Sequence, residues 1–213
     1  MYRIGYIDDK PLQFDNYARK IRRYYQDMEM VLLTGCKTKA DFVEKIYEEQ
    51  IDVLLVDYKM AGAFGFQGTS LISYINDQIR DLECFILTAV DRGQITDGLV
   101  SRRNCQSKDI FDTEGGDEKR IAKYQEFIDM LRESANVFQV RREEKVGQFR
   151  ALMEKKKEGI LNASEEDEYV RLYKVLSSYG MIEKLPEKML KSDFEEKLDR
   201  LLCQGEEIIK KYH

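Results

Sequence analysis

The chain has 213 residues, 43% of them apolar and 35% charged, with 35 basic and 40 acidic groups giving a net charge of −5. This is room for two modules with a buried core, and it excludes collagen-like, mucin-like and wholly disordered chains. A single histidine, His213, excludes His-rich zinc sites and Ser-His-Asp triads, and the acidity of both halves argues against a basic nucleic-acid footprint.

In chain order, the first half carries short apolar runs, YRIGYI (2–7), MVLL (30–33), VLLV (53–56) and CFIL (84–87), separated by segments of helical period. Such runs are what a parallel sheet covered on both faces requires. Pro11 is expected just inside the first helix, whose apolar stripe is Phe14, Tyr17, Ala18, Ile21 and Tyr25. Thr38, with Asp41 three residues on, signals the start of a second helix carrying Phe42, Val43 and Ile46. The expectation is an α/β fold with a doubly wound parallel five-stranded sheet, its fifth strand near NCQSK and poorly apolar.

Near residue 110 the β signal ends. From Asp117 to Glu158 there is no proline and one glycine, Gly147, and Ile121, Tyr124, Ile128, Leu131, Ala135 and Phe138 form a heptad seam. Arg142 and Lys145 interrupt the seam before Phe149 and Leu152 resume it. A helix of some forty residues would reach about 60 Å, so it is expected to start on the sheet and continue as a stalk. A further helix is expected to be capped at Ser164, with Tyr169, Leu172, Tyr173, Leu176 and Tyr179 on its apolar face and a stop at Gly180. A last one is signalled by Ser192 and Glu195. The expected division is 1–116 for the α/β domain, 117–158 for the long helix, a possible coiled-coil stalk, and 159–213 for a small all-α output or dimerisation region. The run Lys155-Lys156-Lys157 sits among acidic neighbours and reads as a solvated face.

Ligands of open α/β sheets bind beyond the carboxyl ends of the strands. There the sequence places Asp8 and Asp9 after the first strand, Asp57 after the third, Thr88 after the fourth and Lys108 after the fifth. Three carboxylates converging on one edge repel each other unless a cation is present, and an oxygen-rich site that keeps waters suits Mg2+. The four cysteines form no CxxC pair, so a metal cluster or disulfide framework is not expected. No apolar run is long enough for a signal peptide or membrane span, and a cytoplasmic protein is expected.

With Ile7-Asp8-Asp9-Lys10-Pro11, Asp57-Tyr58-Lys59-Met60, Thr88-Ala89 and Lys108 at these spacings, residues 1–120 resemble the receiver domain of two-component response regulators. The resemblance implies that Asp57 accepts a phosphoryl group from a histidine kinase or phosphotransfer protein. It implies that Asp9, Asp57 and the backbone carbonyl of Lys59 hold Mg2+, with Asp8 assisting through water. It further implies that Thr88 and Lys108 bind the phosphoryl oxygens. The chain departs from the family in having Ala61 and Asp109 where prolines are usual, and Cys105 near the place of the switch aromatic.

The functional expectation is a phosphorylatable signalling protein with a helical output that docks a protein, and a possible homodimer through the 121–152 seam. No nucleic-acid or membrane partner and no separate catalytic domain are expected. The alternative is a pseudo-receiver scaffold that is not phosphorylated. A phosphatase of the haloacid dehalogenase type would need a second Asp where Lys59 stands, and a flavodoxin-like flavin site would need a hydroxyl- and glycine-rich loop where Asp8 and Asp9 stand.

Overall fold

The computed structural model describes residues 1–113 and 117–183. Five strands, β1 (Tyr2–Ile7), β2 (Met28–Leu32), β3 (Val53–Asp57), β4 (Cys84–Thr88) and β5 (Cys105–Ser107), form one parallel sheet in the order β2-β1-β3-β4-β5. This is the strand order of flavodoxin-like doubly wound folds, with the chain reversing direction across the sheet between β1 and β3. Every residue of β3 and β4 is buried, as their unbroken apolar runs require.

The helices are α1 (Phe14–Tyr24), α2 (Lys39–Glu48), α3 (Ala61–Phe64), α4 (Gly68–Gln78), α5 (Glu118–Lys157) and α6 (Ala163–Ser178). α2 begins at the expected signal: Thr38 and Asp41 form a reciprocal capping box. α1 begins later than expected. Pro11 lies ahead of the helix in a turn whose carbonyl accepts from the Phe14 N–H at 3.1 Å, and Gln13 is the N-cap. β2 likewise starts two residues early, because Met28 and Met30 both turn their side chains into the core.

Between β4 and β5 the chain forms no α-helix, only the 3-10 turns Arg92–Gln94 and Arg102–Asn104. The reason is local: DRGQITDG offers almost no apolar side chains with which a helix could cover the sheet. Ile95 is the buried anchor of this segment, and the buried Thr69 hydroxyl of α4 donates to Asp97 at 2.5 Å.

By its contacts the chain divides into two compact units, Met1–Arg142 and Glu143–His213. In the first, Tyr124, Phe127, Ile128, Leu131 and Ala135 of α5 join Ile4, Tyr6, Val53, Leu55, Phe85 and Leu87 of the sheet in one core. Tyr124, Ile128, Leu131 and Ala135 of the heptad seam thus cover this chain's own sheet. The N-terminal edge of the sheet is then tied to α5 by polar groups. Arg132 pairs with Asp27 at 2.6 Å, Tyr2 donates to Asn136 at 2.8 Å, and Asp52 accepts from the Arg3 N–H (2.9 Å) and Gln139 (2.8 Å) while facing Arg142 at 3.4 Å. Arg142, which breaks the seam in sequence, is the residue that meets this buried carboxylate. Ile128 has no exposed surface, so Ile128→Val is expected to lower unfolding free energy by about 1 kcal/mol in urea denaturation.

In the second unit α6 is capped by Asn162 rather than Ser164. The Asn162 side chain accepts from the Glu165 N–H, and the Glu165 carboxylate accepts from the Asn162 N–H, while Ser164 falls inside the helix. Leu172, Tyr173, Leu176 and Tyr179 are buried, Phe149 of α5 stacks on Tyr169 with ring centroids 5.0 Å apart, and Lys145 donates to the Tyr179 hydroxyl at 2.8 Å. Gly180 takes the left-handed conformation that ends the helix, φ 68°. Lys155 pairs with Glu165, Lys157 with Glu154 at 2.7 Å, and Lys156 lies over the Tyr169 ring, so each lysine of the run has a partner within this unit. The helix expected from Ser192 and Glu195 lies outside the described residues. Among the described residues no helix is long and apolar enough to cross a membrane.

Candidate functional site: an acidic edge bridged by a lysine

Because the sheet is parallel, its strand registers put the C-terminal ends side by side: Ile7 faces Val56, Asp57 faces Leu87, and Thr88 faces Ser107. The residue that follows each strand is thus delivered to one edge. Asp8, Asp9 and Asp57 meet there, each with a carboxylate oxygen within 4.8 Å of the others. Lys108, the first residue beyond β5, places its ammonium 2.7 Å from Asp8 Oδ2 and 2.8 Å from Asp57 Oδ1. The three expected carboxylates and the expected lysine are thereby brought together.

Charge governs this site. The side chains of Asp8 and Asp57 are only 3% and 8% exposed, so their ionised forms depend on partners rather than water. Burial pushes the Asp57 carboxyl above the ordinary aspartate range, against the pull of the hydrogen bond and charge of Lys108. At Asp8 burial acts in the same direction, but hydrogen bonds from Lys108, Tyr6 and the Lys10 N–H outweigh it and hold the carboxyl below that range. Burial would lower the Lys108 pKa, yet its bonds to Asp57 and Asp8 raise it. Three carboxylates against one ammonium leave two negative charges in excess when all are ionised, the charge a divalent cation would balance. The donor set is all oxygen, which suits a hard ion such as Mg2+, Mn2+ or Ca2+.

The remaining expected residues are placed differently. Thr88 is 1% exposed at the end of β4, where its hydroxyl accepts from the Val90 N–H at 3.1 Å. The Lys59 side chain is exposed and its backbone N–H donates to Asp57. Two features of the site were not anticipated. Tyr6 donates a 2.5 Å hydrogen bond to Asp8 Oδ2; its place two residues before Asp8, on the same face of a strand, was the available signal. Gly68, at the start of α4, lies so close to Asp57 that a Cβ there would sit 2.0 Å from the Asp57 carbonyl oxygen. Only the crowding of α4 against β3 reveals that requirement, and crowding has no sequence signature.

The strand order is that of flavodoxin-like doubly wound folds, and the acidic cluster lies at the carboxyl edge of its strands. No protein-family model and no curated protein matches the sequence. Among solved structures, the chain is similar to a chain in the complex of histidine kinase ThkA with response regulator protein TrrA. The identity is 18%, over 50% of this chain and 83% of that one, with a TM-score of 0.38. It is also similar to the RcsB response regulator of Salmonella typhimurium, at 16% identity over 95% and 98% of the two chains and a TM-score of 0.44. A response regulator from Burkholderia pseudomallei, described with a phosphorylated aspartic acid, calcium ion and citrate, is 15% identical over 84% and 98%, with a TM-score of 0.39.

Proposed function

We propose that this chain is a phosphoryl-accepting signalling protein in which Asp57 is the acceptor and the helical region after the sheet carries the output to a protein partner. The observation that carries this reading is the convergence of Asp8, Asp9 and Asp57 on one sheet edge with Lys108 bridging two of them. A carboxylate is a poor nucleophile toward an anionic phosphoryl donor, so charge must be neutralised as the group transfers. Asp9, Asp57 and the Lys59 carbonyl would hold Mg2+, with Asp8 beside it, and the ion supplies neutralisation of the phosphoryl oxygens when bound. Asp57 forms the O–P bond as the P–N bond of a phosphohistidine donor breaks, and the electron pair and a proton end on the departing imidazole. Lys108 follows the developing charge from Asp57 to a phosphoryl oxygen, and Thr88 offers its hydroxyl to another. The donor in this reading is a histidine kinase or phosphotransfer protein of the cytoplasm.

A protein rather than nucleic acid as output partner is supported by the net charge of −5. A second reading, a pseudo-receiver scaffold, is favoured by one feature, the absence of an α-helix between β4 and β5. The two readings part on a phosphoryl mimic. Beryllofluoride with Mg2+ is expected to raise the melting temperature of the parent protein and to leave Asp57→Ala unchanged. An equal response, or none in either protein, would favour the scaffold.

A further inference from the structure

We propose that Tyr6 is a positioning residue of the acidic site, holding Asp8 in place for a divalent cation through its hydroxyl. This rests on the metal reading above and adds to it a residue that no expected ligand set contains.

Asp8 has few acceptor positions to spare. A carboxylate has about four lone-pair positions. Oδ2 receives the Tyr6 hydroxyl at 2.5 Å and the Lys108 ammonium at 2.7 Å, and Oδ1 receives the Lys10 N–H at 2.8 Å. While all three donors are in place, the position left over belongs to Oδ1, and Asp8 then offers a cation one oxygen. Single-oxygen contact fits a small ion that keeps most of its waters better than an ion that recruits bidentate carboxylates.

The two side-chain donors on Oδ2 respond differently to an incoming cation. Lys108 carries like charge and has a second anchor on Asp57, 2.8 Å away, so it is the donor that yields. Tyr6 is neutral and stays. Its ring is fixed: it is 1% exposed, lies parallel to Phe14 with centroids 6.1 Å apart and meets Tyr17 edge-on at 6.2 Å. The hydroxyl is therefore carried on a rigid strand and a packed ring, the kind of support that fixes a metal-ligating carboxylate. An aliphatic residue at this strand position would fill the core but leave Oδ2 of a nearly buried carboxylate without a donor once Lys108 has moved.

The test is Tyr6→Phe, which keeps the ring and removes only the hydroxyl, with Tyr17→Phe as the control that removes a neighbouring hydroxyl outside the hydrogen-bond set of Asp8. Full-length proteins are titrated with Mn2+, following free ion by EPR, and melting temperatures are recorded without metal. The Mn2+ Kd is expected to rise about tenfold in Tyr6→Phe and to stay within about twofold of the parent in Tyr17→Phe. An unchanged Kd in Tyr6→Phe, whatever its melting temperature, would overturn the assignment by reducing Tyr6 to a core residue. Absence of binding in the parent itself would overturn the metal reading and the Tyr6 role with it.

Discussion

Lys108→Ala is expected to destabilise the protein by about 3–5 kcal/mol, the usual result of removing one partner from a buried charge cluster. The size follows from what is left behind. Asp8 and Asp57, with side chains 3% and 8% exposed, would face each other and Asp9 with no cation between them. The loss should depend on pH in a definite sense. Burial already holds the Asp57 carboxyl above the ordinary aspartate range, and without Lys108 the hydrogen bond and charge that oppose this shift are gone. Stability is then retained below the ordinary aspartate value and is lost as pH rises toward the raised values. Urea unfolding of parent and variant between pH 4 and 8 would show the gap widening with pH. Millimolar Mg2+ should narrow it at the upper end by replacing the missing positive charge. A variant as stable as its parent at neutral pH would mean that water already screens the three carboxylates.

Gly68→Ala should cost about 3 kcal/mol and disable the site at a distance from its charges. The φ angle at this position does not demand glycine; space does. A Cβ would lie 2.0 Å from the Asp57 carbonyl oxygen and 3.1 Å from Val56 Cγ1, and the first of these atoms is backbone that cannot turn aside. Either α4 must lift from the sheet or the end of β3 must shift, and the second movement displaces Asp57 from Lys108. Lower stability is expected with an unchanged urea m-value, together with weaker Mn2+ binding. Gly62→Ala is the matched control. It lies in α3 with nothing within 4 Å of the new methyl, and should change stability by no more than about 0.5 kcal/mol.

The sheet was legible because its strands announce themselves: VLLV and CFIL are continuous apolar runs that can be buried only on both faces, and each is followed directly by a residue of the site, Asp57 or Thr88. Asp8, Asp9 and Asp57 could be read together because parallel strands deliver their C-terminal residues to one edge. Lys108 was harder to place, since β5 is three residues long and only one of them, Cys105, is fully buried. The heptad seam does not by itself distinguish a helix paired with a second chain from a helix packed on its own sheet. A spacing of three and four marks an apolar helix face, and that spacing is the same whether the face meets another helix or a sheet. Arg142 and Asp52 carried the missing information, but a buried carboxylate before β3 and a basic residue far along α5 cannot be paired without the fold. Asn162 rather than Ser164 caps α6 because Glu165 stands three residues after it and completes the reciprocal capping box.

Asp57 is the proposed phosphoryl acceptor. The direct measurement is the intact mass of the protein after incubation with acetyl phosphate and Mg2+. One added phosphoryl group is expected on the parent, absent when Mg2+ is chelated and absent from Asp57→Ala. No added group from acetyl phosphate or from a phosphohistidine protein, or equal incorporation in Asp57→Ala, would contradict it.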